Sequence, residues 1–255
     1  MIKLSHISYT VANESLLSKE KKTKILNDIN LEVNESERVG IVGESGAGKT
    51  TLAKILAGIS SPTSGDIFYK GSSVNNLINE TSVQILFQNS AELINPLRTV
   101  SDILNEVTKN NTQQVNELLN LVELSTDILS RIGKELSGGE RQRVGLLRLL
   151  AVNPELLIVD EPFSAQDVES QLNLMKLLKK INADSHLTII CVSHDLQIIS
   201  KFTDRLFVMR NGEIVESGST SEVMTSPHHD YTKFLIKSKN YDIEYSDFVE
   251  LQRVK

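Results

Sequence analysis

The chain has one cysteine, Cys191, so it can form neither an internal disulfide nor a cysteine-based metal site, and a reducing compartment such as the cytosol suits it. It has no basic excess. The formal net charge is -6 and the pI about 5.5, which leaves no general electrostatic reason for the surface to seek nucleic acid phosphates. Nor does it have a long apolar run. The richest stretches, Glu155 to Val159 and Leu187 to Val192, are strand-sized and well short of the ~18 residues a membrane helix requires. Any link to a membrane is therefore expected to pass through partner proteins. The opening residues, MIKLSHISYT, lack the basic stretch and apolar run of a secretory signal, and no internal repeat or low-complexity tract stands out. What remains, 40 % hydrophobic and 24 % charged over 255 residues, can bury a core as one domain or one domain with a subdomain.

Alternating apolar residues at Ile2, Leu4 and Ile7, and again at Ile25, Ile29, Leu31 and Val33, predict short strands around a lysine-rich surface loop from Asn13 to Lys24. From Arg38 the pattern is strand, glycine loop, helix: Val39 to Val42, then GESGAGKT, then Leu52 to Ala57 at helical spacing, stopped by Gly58. Residues 88–152 carry helical periodicity, as at Val115, Leu118, Leu119 and Val122, and predict a helical insertion. Strands return at Leu156 to Val159 and Thr188 to Val192 around a helix over Val168 to Ile181, the alternation of a parallel α/β sheet. Beyond the turn signal Asn211-Gly212 come a short strand, a helix near Ser221 to Met224 and a polar tail from Ser238 to Lys255.

Gly43, Gly48, Lys49 and Thr50 fit the phosphate-loop spacing of glycine, four residues, then Gly-Lys-Ser/Thr, and they lie between a predicted strand and helix as that motif requires. The loop amides of Glu44, Ser45, Gly46, Ala47 and Thr51 can turn on phosphates, Lys49 can reach the terminal phosphates, and Thr50 can ligate magnesium. The strand Leu156 to Val159 runs into Asp160-Glu161 at the sheet edge where open α/β folds bind ligands. Asp160 can hold magnesium through water, and Glu161 can polarise the water that attacks a γ-phosphate. Many ATPases and GTPases share these two motifs.

The discriminating element is Leu136-Ser137-Gly138-Gly139-Glu140, followed by Arg141-Gln142-Arg143 and a helical pattern through Val144, Leu147 and Ala151. It resembles the signature of the ABC ATPases, and Ser137 lies 23 residues before Asp160, as the family places it. That resemblance implies a P-loop, RecA-like α/β core with an N-terminal antiparallel β subdomain and an inserted helical subdomain at about 88–152, within a cassette of residues 1–237 followed by a tail of residues 238–255. It implies further roles. Gln88 matches the glutamine that contacts magnesium and senses the membrane subunit, Ser164-Ala165-Gln166-Asp167 matches the D-loop, His194 matches the switch histidine at the γ-phosphate, and Tyr9 stands where an aromatic ring stacks on adenine. The signature residues Ser137, Gly138, Gly139 and Glu140 of one cassette would close over the phosphate loop of another, so the chain is expected to work as a dimer that binds ATP and magnesium. Glu140 replaces the commoner glutamine of the signature, and Gln166 the usual D-loop leucine.

Phe87-Gln88 followed by Leu93-Ile94-Asn95-Pro96, and later Ser226-Pro227-His228-His229-Asp230-Tyr231-Thr232, resemble the ATPases of peptide and nickel importers, and of their paired ATPases the one without a cysteine-rich C-terminal extension. By that resemblance the partners are a related second ATPase, two membrane permease subunits and an extracytoplasmic substrate-binding protein, with no nucleic acid, and the place is the cytoplasmic face of the plasma (inner) membrane. An ATPase of an exporter or lipoprotein-release system, or a non-transport ABC ATPase acting on nucleic acid, is the alternative. His228, His229 and Asp230 are expected in a surface loop, because adjacent loop residues rarely chelate a metal alone.

Overall fold

The computed structural model describes residues 1–13, 21–74, 82–87, 94–164 and 167–239. It divides into two units, one of Met1–Leu77 with Ile190–Lys255, the other of Ile78–Ile189. Gln88, Leu93, Ala165, Gln166 and residues 240–255 lie outside the described residues.

The first unit opens with β1 (Ile2–Asn13) antiparallel to β2 (Lys21–Val33), with Ile2 opposite Val33, Leu4 opposite Leu31 and Ile7 opposite Ile29. These six side chains are buried, so the alternation along the sequence became one apolar sheet face. Of the expected loop from Asn13 to Lys24, residues 14–20 lie outside the described residues, and Lys21 to Lys24 belong to β2 instead, where Lys22 and Lys24 pair with Ala12 and Thr10. Backbone ladder bonds, which depend little on side-chain polarity, extend the two strands past their buried part. The strand β3 (Arg38–Val42) leads through the glycine loop into α1 (Lys49–Leu56), and β4 (Ser64–Tyr69) with β5 (Ser72–Ser73) completes a sheet of order β2-β1-β4-β5.

In the second unit β6 (Val83–Leu86) runs parallel to β7 (Leu156–Asp160), every residue of which is buried. Between them α2 (Val100–Thr108), α3 (Thr112–Leu121) and α4 (Gly138–Leu150) pack on one another, and the residues buried on α3 are Val115, Leu118 and Leu119, three of those that set its period. Each helix starts at a side-chain cap: Thr99 accepts the Asp102 N–H, Asn111 that of Gln114, and Ser137 that of Glu140. The Asn95-Pro96 segment is tied to the stretch before α4, since the Gly133 N–H donates to Arg98 O and the Lys134 N–H to Pro96 O, both at 3.0 Å. After β7, α5 (Val168–Ser185) is capped by Asp167 and leads to β8 (Thr188–Ser193).

The chain then returns to the first unit through α6 (Leu196–Ser200), β9 (Arg205–Arg210), β10 (Glu213–Ser219), α7 (Thr220–Thr225) and α8 (Asp230–Lys239). β9 lies parallel to β3, with Ile41 opposite Phe207, and antiparallel to β10. Their turn has positive φ at both Asn211 (50°) and Gly212 (82°), the geometry an Asn-Gly hairpin favours. α7 falls where the sequence predicts a helix. α8 does not, because polar residues obscure its period, and it carries helix two residues into the stretch read as tail.

Candidate nucleotide site

The phosphate loop hangs between β3 and α1, and its three glycines, the pattern residues Gly43 and Gly48 and the intervening Gly46, are needed for different reasons. A Cβ on Gly43 would stand 2.2 Å from the carbonyl oxygen of Met209 in β9. One on Gly48 would meet Leu26 Cδ2 at 2.7 Å and Ile25 O at 3.0 Å, and its φ is 96°. Gly46 has φ 85° with open space where a Cβ would lie, so backbone conformation alone selects glycine there. The Gly212 N–H donates to Ala47 O at 3.1 Å, so the β9-β10 turn grips the loop as well. α1 begins at Gly48 without a side-chain cap. A helix start of this kind suits an anion, because the helix dipole favours negative charge there.

Lys49 is buried, and its ammonium donates to Gly43 O at 2.8 Å and Glu44 O at 2.9 Å. Its charge is thus parked on the carbonyls of the loop it serves. Thr50, Glu44, Ser45 and Gly46 are exposed, Thr51 half-buried. Tyr9 in β1 sits opposite Leu26, the residue whose side chain abuts Gly48, which brings its strand position close to the loop. His194 is exposed immediately after β8, and the next residue, Asp195, fixes the start of α6 by accepting the N–H groups of Gln197 and Ile198 at 3.0 and 3.2 Å.

In the second unit Asp160 ends β7 as a buried carboxylate, and Glu161 follows with φ 53°, a left-handed conformation rare for a side chain of its size. Its carbonyl accepts from the Ser164 N–H and hydroxyl at 3.2 and 2.8 Å, so the turn that holds this strained residue is locked. The signature helix α4 touches the same turn, because Gln142 Nε2 donates to Pro162 O at 3.2 Å.

At the start of α4, Ser137 and Glu140 cap each other: the Ser137 N–H donates to Glu140 Oε2 at 2.7 Å and the Glu140 N–H to Ser137 Oγ at 3.2 Å. Arg131 grips the same carboxylate with two bonds, at 2.6 and 3.2 Å. These Arg131 bonds first, and the Ser137 N–H second, hold the Glu140 carboxyl at about 2 against its usual 4.5. Arg131 is a residue the sequence did not single out, although an arginine nine positions before a signature glutamate was there to be seen. Gly138 and Gly139 have nothing within 4 Å of a built Cβ and no positive φ, so neither packing nor backbone strain explains them. Their smallness keeps the helix start open to approach from outside.

The match of residues 26–164 to the ABC transporter family model runs from β2 through the phosphate loop, the signature and Glu161. An oligopeptide transport ATP-binding protein of Lactococcus lactis is 37% identical over 227 residues, covering 84% of this chain and 71% of that protein. A nickel import ATP-binding protein of Escherichia coli is 34% identical over 239 residues, covering 88% of this chain and 89% of its own length. Among solved structures, a dimeric ATP-binding cassette in a post-hydrolysis state with ADP and Pi is similar with a TM-score of 0.72 and 27% identity, over 86% of this chain and 99% of that one. The chain belongs to the ABC transporter family. It is an ATP-binding cassette with the P-loop α/β fold of that family, and its chemistry is ATP hydrolysis. Among the described residues no helix is long and apolar enough to cross a membrane, and no cluster of three or more His, Cys, Asp or Glu is placed to hold a metal.

Proposed function

We propose that the chain energises uptake of peptides, nickel or metal chelates, paired with a related second ATPase beneath two permease subunits supplied by an extracytoplasmic binding protein. It would be held at the cytoplasmic face of the membrane by those permeases. The observation that carries the catalytic part is the phosphate loop, whose crowded glycines and uncapped helix start shape an anion cradle before any ligand arrives. The importer part rests on the likeness to transport proteins of that kind and on the Asn95-Pro96 and Pro227-to-Thr232 segments.

In this reading Tyr9 stacks on the base, residues Gly43 to Thr51 take the phosphates, and Lys49 leaves its two carbonyls to meet the terminal phosphate. Glu161 polarises the attacking water, and His194 reaches the γ-phosphate. The amides of Gly138 and Gly139 and the hydroxyl of Ser137 face the nucleotide of the opposite cassette, while the Ser137 N–H stays on Glu140, which holds the turn in place. Magnesium, a hard cation, takes oxygen ligands, and the Thr50 hydroxyl, the Asp160 carboxylate acting through water and the Gln88 amide oxygen are of the kind that would hold it. When bound it neutralises charge on the β- and γ-phosphate oxygens.

Glu161→Gln keeps the shape and removes the base, so turnover should fall at least about 100-fold while ATP stays bound. Undiminished turnover would remove Glu161 from that role. Purification of the tagged chain from gently solubilised membranes tests the transport part: a second ATPase, permeases and a binding protein should accompany it, and nucleic-acid-processing partners would sink the assignment.

A further inference from the structure

The segment Pro227 to Thr232 lies outside every motif that handles nucleotide, yet it reaches the phosphate loop. Tyr231 is 1% exposed, and its hydroxyl accepts the backbone N–H of Glu44 at 2.9 Å, across 187 residues of sequence. Glu44 is held at both of its peptide groups. Tyr231 takes its N–H, and the Lys49 ammonium donates to its carbonyl at 2.9 Å.

The tyrosine is itself fixed from several sides. The Glu216 carboxylate accepts the N–H groups of His228 and His229, at 2.7 and 3.1 Å, and His229 Nδ1 accepts the N–H of Tyr231 at 3.1 Å. The Arg210 guanidinium lies 5.0 Å from the ring centroid, within cation–π range. The helix this segment starts, α8, packs on α6, which begins two residues after His194. The histidines thus serve the backbone geometry of the segment, and the tyrosine hydroxyl is the group it delivers.

We propose that Tyr231 is a positioning residue for ATP, acting through Glu44. By tying down the second amide of the loop it decides which of the following amides turn inward, and it places the carbonyl on which Lys49 waits. Phosphate binding then starts from a loop already in shape, which lowers the ordering cost of binding without touching the reacting atoms.

Tyr231→Phe keeps the ring and its seat and leaves the Glu44 N–H without its acceptor. In ATPase assays of the chain with the partner ATPase it is recovered with, KM for ATP should rise about three- to tenfold, the worth of one hydrogen bond, with kcat within about twofold. Lys233→Ala, on the exposed side of the same helix, should change neither constant. An unchanged KM overturns the proposal even if the melting temperature falls, because a brace that is only structural moves stability alone. So does a fall in kcat at constant KM, which would put Tyr231 in the chemical step. Should the variant fail to fold, hydrogen exchange in the unsubstituted chain decides: a protected Glu44 amide without nucleotide supports the proposal, and rapid exchange there overturns it.

Discussion

The glycines of the phosphate loop and those of the signature are chemically the same residue used in opposite ways. At Gly43 and Gly48 the protein's own backbone and side chains fill the space a Cβ would need, and at Gly46 and Gly48 the backbone is left-handed. At Gly138 and Gly139 the space is open and the backbone ordinary. The first loop is shaped from within by β2, β9, the β9-β10 turn and Tyr231, and it stands ready for a ligand. The signature is set by a side-chain network around Glu140, and its glycines make sense only if something from outside the chain comes close. A loop shaped from within and a signature left open from without are what the proposed pairing of two cassettes would use, each completing the other's nucleotide site.

The sharpest way to break this contrast is to add one methyl group to each loop. Gly43→Ala forces the new Cβ against a backbone carbonyl that cannot swing aside, and should cost about 2–3 kcal/mol of stability in denaturant unfolding and abolish nucleotide binding. Gly139→Ala should leave stability unchanged or raise it by up to about 0.5 kcal/mol, since alanine suits a helix better. If the proposed pairing holds, its turnover should nonetheless fall about tenfold or more, because the methyl would stand where the opposite cassette's nucleotide is to dock. If Gly139→Ala loses stability instead, or turns over normally, the signature glycines are not an open docking face.

The phosphate loop, the two carboxylates at the end of β7, the signature and the main helices were legible because each rests on local pattern: spacing, an apolar run, a cap. What escaped depended on partners distant in sequence or on backbone. The lysines at 22 and 24 read as loop, yet ladder bonds to Ala12 and Thr10 make them strand. α8 was missed because its residues DYTKFLIKSK mix polar and apolar without a clean stripe, and its tie to the loop runs through Tyr231 to Glu44. The Pro227-to-Thr232 segment was visible as a subfamily mark, but no spacing rule links it to a loop 187 residues earlier. The strain at Glu161, φ 53°, likewise has no sequence signal, since glutamate is not a residue that announces a left-handed turn.

Glu140 gives the smallest effect and tests what holds the signature in place. Its carboxylate takes two bonds from Arg131 and one from the Ser137 N–H, and in Glu140→Gln the amide oxygen can still cap Ser137 while the charge that meets Arg131 is gone. The variant should lose about 1 kcal/mol at neutral pH, with turnover falling less than in Gly139→Ala, because the glycines stay open. The sign of the pH dependence follows from the depressed carboxyl, about 2 in the folded chain against an ordinary 4.5. Its contribution is complete above about 4.5 and fades as pH falls toward about 2, since the unfolded chain takes up the proton first. Urea unfolding of both proteins along a pH series should therefore show a constant gap near neutrality that closes in acid. A gap that persists undiminished at the acid end would mean that the Glu140 charge does not hold the signature, leaving the mutual cap with Ser137 as its support.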